Sequence, residues 1–395
     1  MRIVVSGGGS AGHIAPALAV CDALRSLDSQ AELLYVGQAG SMEARIVAAS
    51  GYQFAAIKAG KFRRLHSAGA LAKLLNPATL GLNLRDVFRL VHGVGGSLRI
   101  LRRFKPDVVF LKGGFVCLPV GLAAHLLRIP YVIHESDVAP GLANRILGRW
   151  AAKVAVGFPV KSYYDFDRTR LVYVGNPVRR EILTAHRLEG LARFKLNEQL
   201  PVILITGGSQ GAVQINEVVL QALPQLVEQW QVIHQVGEYD AERMRFELRR
   251  FAKLPHVRRY HPRAFLSLKE MPQALAAADV VVGRAGVSTI MESAVLGKPT
   301  VLIPNYEMAG HQVENAKVLA RNGAVRVLDG RSLTPARLVG EIKRILDDPA
   351  EQSRLSRAIR RFGRPEAARD LARLVLDVGG AGETPRPAEP TGGRL

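Results

Sequence analysis

The chain has 395 residues, a formal net charge of +20 at pH 7 and a hydrophobic content of 48%. This length predicts two to three domains with enough apolar residues for packed cores. No uninterrupted run of about 18 apolar residues occurs, so we predict no transmembrane helix, and no signal peptide is evident. Two cysteines are too few for a disulfide framework or a zinc site. The basic excess favours anionic partners, but no nucleic-acid-binding motif accompanies it, and we expect no nucleic-acid partner.

A glycine-rich turn follows the first predicted strand, 3–5. The turn, Gly7 to Gly12, leads into a helical pattern that starts at His13. In this arrangement backbone N–H groups and the positive end of a helix face an anionic ligand. The turn matches neither the dinucleotide-binding fingerprint nor the P-loop. An imidazole with an ordinary pKa of about 6.5 can accept a hydroxyl proton, so His13 is a candidate general base. The alternative is a capping or core histidine.

Strand and helix patterns alternate through the rest of the first half. Strand segments are predicted within 31–37, 54–60, 107–121, 131–133, 153–158 and 170–179. This alternation predicts a parallel, doubly wound sheet. Lys112 to Phe115 and His134 to Asp137 follow two of these strands, at the edge where ligands bind in open α/β sheets. We place a hinge at Gly175-Asn176-Pro177.

Residues 61–105 interrupt this alternation with ten Lys/Arg and a single acid, Asp86. Leu84, Val87, Phe88 and Val91 recur with helical spacing within the segment. A basic amphipathic helix of this kind can lie on a membrane surface with its cations on anionic headgroups. The alternative is an ordinary crossover helix that packs on the sheet, and both can hold for different parts of the segment.

A second α/β series begins at 201–216, where another strand leads into the glycine turn GGSQG. Further strands are predicted within 230–237, 278–286, 299–305 and 324–329. The turn could hold a diphosphate through Ser209 and backbone N–H groups. Glu292 could accept hydrogen bonds from a ribose diol or, alternatively, act as a partner of the helix dipole. Gln312 and Asn315 could bind sugar hydroxyls. We expect no metal-clamped diphosphate, and a disordered tail at 379–395.

Several motifs occur in order along the chain: GGGSAGHIAP, LKGGFV, HESDVAPGLANR, VGNPVR, ITGGSQGA, GRAGVSTIMESAVLGKP and HQVENA. Over about residues 1–375 they resemble the MurG glycosyltransferases, which add N-acetylglucosamine to lipid I in peptidoglycan synthesis. The resemblance implies an α/β protein of the GT-B fold, with two Rossmann-like doubly wound domains facing a cleft. It implies an N-terminal acceptor and membrane-associating domain at 1–175 and a C-terminal UDP-sugar-binding domain at 176–363. The last helix, 364–378, would cross back to the first domain.

The resemblance also implies site residues in both halves. His13 would be the base and Glu135 a second catalytic residue. Asp137 would contact the donor sugar, Leu268 the uracil and Glu292 the ribose. The other implied substrate-binding residues are Ser10, Ala11 and Gly12 beside a diphosphate, Arg179, Ser209 and Gln210 at the nucleotide diphosphate, Asn144 and Asn216 in the cleft, Val287, Ser288, Thr289, Ile290 and Met291 around the nucleoside and α-phosphate, and Gln312 at the sugar. Ser10-Ala11 departs from the usual Thr-Gly of the family, and Phe115 stands where Tyr can occur.

The implied reaction is an inverting transfer from UDP-N-acetylglucosamine to the 4-hydroxyl of the N-acetylmuramyl group of lipid I. No cofactor and no metal are expected. The implied partners are the two substrates, the anionic inner face of the cytoplasmic membrane, where the protein would be peripheral, and other cell-wall synthesis proteins. The alternatives are a related glycosyltransferase with a different lipid acceptor, a UDP-sugar epimerase, and a nonenzymatic UDP-sugar-binding membrane subunit.

Overall fold

The computed structural model of the protein describes residues 1–8, 11–60, 77–208, 211–306 and 310–380. Its strands are β1 (Arg2–Ser6), β2 (Glu32–Gln38), β3 (Gln53–Ile57), β4 (Val108–Leu111), β5 (Tyr131–Glu135), β6 (Lys153–Val156), β7 (Leu171–Tyr173), β8 (Val202–Thr206), β9 (Gln231–Gln235), β10 (Tyr260–Arg263), β11 (Val280–Gly283), β12 (Thr300–Leu302) and β13 (Arg326–Val327).

The α-helices connect these strands and cover the faces of the sheets. They are α1 (Ala11–Leu27), α2 (Met42–Ala49), α3 (Pro77–Phe104), α4 (Cys117–Leu126), α5 (Leu142–Leu147), α6 (Arg180–Leu183), α7 (Arg187–Phe194), α8 (Val213–Gln229), α9 (Ala241–Leu248), α10 (Glu270–Ala277), α11 (Val287–Leu296), α12 (His311–Arg321), α13 (Pro335–Leu346), α14 (Pro349–Arg360) and α15 (Ala367–Val378).

The strands form two parallel sheets, one in each half of the chain. The first has the order β3-β2-β1-β4-β5-β6-β7 and the second the order β10-β9-β8-β11-β12-β13. Each sheet therefore reverses its strand order beside its first strand, β1 or β8, which is the switch point where α/β proteins bind ligands. Ile3, Val4 and Val5 are fully buried, as the apolar run predicts. The predicted α/β class with two doubly wound sheets is confirmed.

One strand, β10, was not predicted from the sequence. It reads Tyr-His-Pro-Arg, lies at the edge of the second sheet, and only its Tyr260 is buried. A proline lacks the N–H that a central strand needs, so it is tolerated at an edge. A short polar strand with a proline carries neither an apolar run nor a clear alternation, and it gives no signal in the sequence.

The last helix of the described chain, α15, packs on the first sheet. Leu371, Ala372 and Val375 are fully buried in one apolar cluster with Ile3 of β1 and Leu24 of α1. The chain therefore returns to its first strand after completing the second sheet. The tail predicted to be disordered lies, from residue 381 onward, outside the described residues.

Helix α3 combines a packed face with an exposed apolar stripe. Leu101 is buried in the core, and Leu98 packs against that cluster. Val87, Phe88 and Val91 are 43%, 68% and 65% exposed, so most of the predicted stripe faces away from the sheet. The part of the basic segment at 61–76 lies outside the described residues. Among the helices that the structure describes, none has the length and apolarity needed to cross a membrane.

Candidate functional site

Two side chains contact the start of the first glycine turn, at Gly7 and Gly8. The Tyr35 hydroxyl donates a hydrogen bond to the Gly7 carbonyl oxygen. The buried Glu43 carboxylate lies so close to Gly8 that a Cβ there would be 1.7 Å from its Oε2. A larger residue at position 8 would have to displace this carboxylate. These contacts fix Gly7 and Gly8, the start of the turn, at the carboxyl end of β1.

Four predicted site residues follow this turn. Ser10 lies outside the described residues. Ala11, Gly12 and His13 form the first turn of α1, where backbone N–H groups have no partner within the helix. Free N–H groups at a helix N-terminus can bind an anion. The roles of these residues stay predictions.

A buried lysine lies beside the turn, at the end of β4. Lys112 is 1% exposed, and its Nζ donates a hydrogen bond to the Ser136 hydroxyl, which follows β5. Burial lowers the pKa of Lys112 to about 8, while the neighbouring carboxylates of Glu135 and Asp137 oppose that change. A buried ammonium group between two strand ends helps to balance these acids.

Glu135 organises the loop that follows β5. Its Oε1 accepts a hydrogen bond from the Asp137 amide at 3.0 Å, and its Oε2 accepts from the Gly141 amide and the Asn144 side chain, both at 2.9 Å. Burial raises the pKa of the carboxyl, and the charge of Asp137 adds to the increase. Because its two oxygens accept three bonds from the loop, the geometry favours a positioning role over proton transfer. The predicted residues Glu135 and Asn144 therefore act together on the shape of the loop.

The loop after β5 contacts the other half of the chain through α12. The buried Asn315 donates to Asp137 Oδ1 at 2.7 Å and accepts from the Val138 amide at 2.9 Å. His311 Nδ1 donates to the Ala139 carbonyl oxygen at 2.7 Å. These bonds join residues that are more than 170 positions apart and bring the carboxyl edges of the two sheets together.

The predicted hinge also contacts this loop. His134 Nε2 donates to the Gly175 carbonyl oxygen at 2.8 Å, and the Asn176 amide donates to the Ser136 carbonyl oxygen at 3.2 Å. The crossing between the halves is therefore fixed to the strand end that carries Glu135. The position of the hinge and that of the loop depend on each other.

The second glycine turn repeats the first at the end of β8. Gly208 and Gly211 have φ values of 86° and 84°, in the left-handed region that favours glycine. Ser209 and Gln210, predicted at the diphosphate, lie outside the described residues. The turn occupies the switch point of the second sheet, as the first turn does in its own sheet.

Asn216 differs from the prediction that it lies in the cleft. It is fully buried, and its amide donates to the Val236 carbonyl oxygen at 2.9 Å and to Asp240 Oδ2 at 2.6 Å. Its donors are used to hold the strand end after β9 against α8. In this structure the buried Asn216 side chain makes its contacts inside the second half rather than at its surface.

Three residues predicted at the nucleotide come together in the second half. Arg179 donates to the Leu268 carbonyl oxygen at 2.9 Å and lies 3.9 Å from the Glu292 carboxylate. The Leu268 side chain is 68% exposed. Burial raises the pKa of Glu292 to about 7, and the Arg179 charge only partly opposes it. The sequence distances among these residues are long, so their meeting is a result of the fold.

The first two turns of α11 present only some of their predicted residues. Ser288 is exposed, Val287 and Thr289 are half-buried, and Ile290 and Met291 belong to the core. The helix begins after Gly286, at the carboxyl end of β11. The side chains of Ile290 and Met291 pack in the core and fix the start of the helix, so a ligand there would meet their backbone.

Gln312 lies in the first turn of α12, and its Oε1 accepts a hydrogen bond from the Asn305 amide at 2.9 Å. Asn305 follows β12, so this bond joins the strand end to the helix that carries Asn315. The Gln312 amide group is half-buried at the edge where the two halves meet.

The described residues contain no group of three His, Cys, Asp or Glu side chains placed to hold a metal ion. The sequence has an Asp-x-Asp pair, Asp165 and Asp167, but both carboxylates are engaged locally. Asp165 pairs with Arg145 and Asp167 with Thr169 and Arg170.

Sequence reasoning missed several residues that shape the site, namely Tyr35, Glu43 and His311, and it assigned no role to Lys112. The signal for Lys112 was its place directly after a strand. The others act through contacts between distant segments, which the sequence does not display. Asn315 was expected on a sugar, but in this structure it joins the two halves.

Two parallel Rossmann-like sheets whose carboxyl edges meet in one site define the class of protein: this is the GT-B fold. Two family models cover most of the chain, the glycosyltransferase family 28 N-terminal domain at residues 3–156 and its C-terminal domain at residues 202–371.

Similar proteins agree with this class. A relative from Symbiobacterium thermophilum is 38% identical over 380 residues, covering 96% of each chain, and one from Desulforamulus reducens is 35% identical over 96% of this chain and 99% of its own. Both are named UDP-N-acetylglucosamine--N-acetylmuramyl-(pentapeptide) pyrophosphoryl-undecaprenol N-acetylglucosamine transferase. The crystal structure of Acinetobacter baumannii MurG is 26% identical, with a TM-score of 0.73 over 95% of this chain and 99% of that one. The chain belongs to the MurG family of glycosyltransferases.

Proposed function

We propose that the protein transfers N-acetylglucosamine from UDP-N-acetylglucosamine to the 4-hydroxyl of the N-acetylmuramyl group of lipid I, giving lipid II for peptidoglycan synthesis. The observation that carries this proposal is the match, over nearly the full length, to relatives named for this transfer. The cluster of Arg179, Leu268 and Glu292 supports the second half as the donor site.

In the proposed step, the acceptor 4-hydroxyl oxygen attacks the anomeric carbon of the α-linked donor. The bond from that carbon to the diphosphate oxygen breaks, and UDP leaves with the bonding electrons. His13 takes the hydroxyl proton. The charge that develops on the leaving diphosphate is stabilised by backbone N–H groups at the second turn and at the start of α11, and by Arg179. The product is β-1,4-linked.

Each half then has its own task. Residues 1–175 with 364–378 would hold the acceptor, and residues 176–363 would hold the UDP-sugar. Asp137, at the boundary, would contact the donor sugar, and Gln312 would hold its hydroxyls. The bonds from Asn315 and His311 to residues 137–139 support this arrangement, because they place the two sets of residues at one edge.

The first test is transfer of labelled N-acetylglucosamine to a short-chain lipid I analogue, with and without EDTA. Transfer that resists EDTA supports both the acceptor and a reaction without a metal ion. Binding of the donor without transfer would favour a different lipid acceptor or a nonenzymatic subunit, and release of an epimerised sugar would favour an epimerase.

His13→Ala should lower kcat by 10²- to 10⁴-fold, because the acceptor hydroxyl would lose its proposed general base. A near-normal rate in this variant would remove the base assignment.

The protein would be peripheral at the cytoplasmic face of the cell membrane. The exposed stripe of Val87, Phe88 and Val91 on α3, with arginines along the same helix, supports contact with anionic lipids. Other cell-wall synthesis proteins stay predicted partners.

Binding to phosphatidylglycerol vesicles, measured by co-sedimentation, should weaken in the double variant Phe88→Ser, Val91→Ser. The matched control is Val213→Ser, which changes a residue 53% exposed in the other half. Equal binding by both variants would contradict this placement.

A further inference from the structure

A second cleft opens on the first half, at the carboxyl edge of β2 and β3. Its volume is about 330 Å³, and its lining residues are Gln38, Ala39, Ile57, Lys58, Ala59 and Arg89. Gln38 and Ile57 are register partners at the ends of their strands, so the cleft opens on the same edge as the first glycine turn. None of the residues named above that line it is acidic, and two are cationic.

One carboxylate joins this cleft to the glycine turn. Glu43 Oε1 accepts a hydrogen bond from the Gln38 amide, and the same carboxylate lies against Gly8. A Cβ at Gly37 would also come within 2.6 Å of Glu43 Oε1. The cleft and the turn are therefore neighbours, separated by a single buried side chain.

Helix α3 brings Arg89 to the cleft and fixes it there. A Cβ at Gly93 would be 2.2 Å from the Lys58 carbonyl oxygen, and one at Gly60 would be 2.2 Å from the Asp86 carbonyl oxygen. The helix backbone thus packs directly on the chain that leaves β3. Arg89 pairs with the buried Asp86 at 3.5 Å through one of its nitrogens. A guanidinium has five N–H donors, so this pairing leaves donors for a ligand.

We propose that this cleft binds an anionic group of the acceptor, a phosphate of its diphosphate or a carboxylate of its peptide stem, with Lys58 and Arg89 as the cationic ligands. The inference rests on the proposed function, which supplies an acceptor that carries both kinds of anion. Charge-assisted hydrogen bonds from lysine and arginine are strong contacts to either group. Apart from Asp137, the residues proposed for the donor lie on the other half, so we assign an anion site beside the first turn to the acceptor. Arg89 follows Phe88 on α3, so one helix carries both the cleft residue and the face proposed to meet the membrane.

The test uses a water-soluble short-chain lipid I analogue, so that membrane binding does not enter the result. The variants are Lys58→Gln, Arg89→Gln and the pair. The matched control is Arg99→Gln, an exposed arginine on the same helix that does not line the cleft. We expect the acceptor KM to rise about five- to tenfold in each single variant and further in the pair. This is less than a fully buried charge-assisted contact gives, because Lys58 and Arg89 are exposed to solvent. The donor KM and kcat at saturating acceptor should stay within the range of the control, and so should the melting temperature of Lys58→Gln. Arg89→Gln and the pair should melt at a lower temperature, because the buried Asp86 loses its cationic partner.

Two acceptor forms distinguish the sources of the anion. If a phosphate binds in the cleft, the increase in KM persists with an acceptor whose peptide carboxylates are amidated. If a carboxylate binds there, the variants and the wild type have equal KM values for that acceptor. An unchanged acceptor KM in the double variant, or an equal increase in Arg99→Gln, would overturn the proposal. Absence of transfer by the wild-type chain would instead contradict the proposed function, because that result appears before any variant is compared.

Discussion

Glu292 combines two properties that bear on donor binding: it is half-buried beside Arg179, and its pKa is raised. Burial lifts the pKa of its carboxyl from the ordinary 4.5 to about 7. Between pH 4.5 and about pH 7 the folded chain keeps a proton on Glu292 that the unfolded chain has released. This group therefore makes folding more favourable at low pH than at neutral pH. The contribution of Glu292 is lost as the pH rises toward 7. A pKa increase of this size lowers the free energy of unfolding by about 3 kcal/mol across this pH range.

The same ionisation should govern the donor. A carboxylate that accepts hydrogen bonds from a ribose diol must be ionised, so the affinity for UDP-N-acetylglucosamine should increase from pH 5.5 to pH 7.5 and then level off. Glu292→Gln should weaken donor binding about tenfold at pH 7.5 and remove most of the pH dependence. Calorimetric titration with UDP-N-acetylglucosamine measures both effects.

The control for this prediction is Glu217→Gln, which changes a surface carboxylate 53% exposed and paired with Arg243. It should keep the wild-type pH dependence. If Glu292→Gln also kept that dependence, another group would be responsible, and the ribose assignment would lose its support.

At the scale of elements, the loop after β5 and helix α12 behave as one unit because Asn315 bonds to both sides. Its amide also donates to the Ala285 carbonyl oxygen at 3.3 Å. Asn315→Ala would leave buried polar groups of residues 137, 138 and 285 without these bonds. We expect a loss of about 2–4 kcal/mol of stability and a higher donor KM, since Asp137 would no longer be held.

The comparison variant is Asn322→Ala at the end of the same helix, where the amide donates to the Val318 carbonyl oxygen at the surface. Thermal melting and donor KM should change little in this variant. Asn315→Asp adds a test of charge, because it places a second carboxylate against Asp137 and should be more harmful at pH 8 than at pH 5. Equal melting of the Asn315 and Asn322 variants would refute the role of the contact.

The elements themselves were largely predictable from the sequence, and their mutual contacts were not. Apolar runs such as Ile3 to Val5 require burial on both faces, which is why the strands of both sheets could be recognised. The edge strand β10 lacks that pattern. Asn216 and Glu135 show what the sequence does not reveal at the site. Their polar side chains lie after a glycine turn or at a strand end, as those of ligand-binding residues do, but in the fold they bond to backbone and side-chain groups of the protein itself. Whether a polar residue faces a ligand or a neighbouring loop depends on contacts between distant segments.

At the scale of the whole molecule, the question is to which of the two domains the last helix, α15, belongs. Phe158 of the first half and Phe362, just before α15, lie 6.3 Å apart between ring centroids, at the point where the chain crosses back. The proposed division into 1–175 with 364–378, and 176–363, makes the last helix part of the first domain. A domain with its own core should respond as a unit to a cavity inside that core.

This division predicts which of the two sheets a core substitution destabilises. Leu371 of α15 and Leu338 of α13 are both fully buried, but Leu371 lies in the cluster with β1 and Leu338 in the cluster of the second sheet. Each leucine-to-alanine change should cost about 2–5 kcal/mol. In Leu371→Ala, amide hydrogen exchange should become faster in β1 and α1 and stay slow in β8, whereas Leu338→Ala should show the reverse pattern. Leu371 follows the second sheet in the chain, so α15 could instead belong to the second domain. If Leu371→Ala accelerated exchange more in β8 than in β1, α15 would be assigned to that domain and the boundary at 364 would be wrong. Exchange that accelerates equally in both sheets would mean that the two halves unfold as a single cooperative unit.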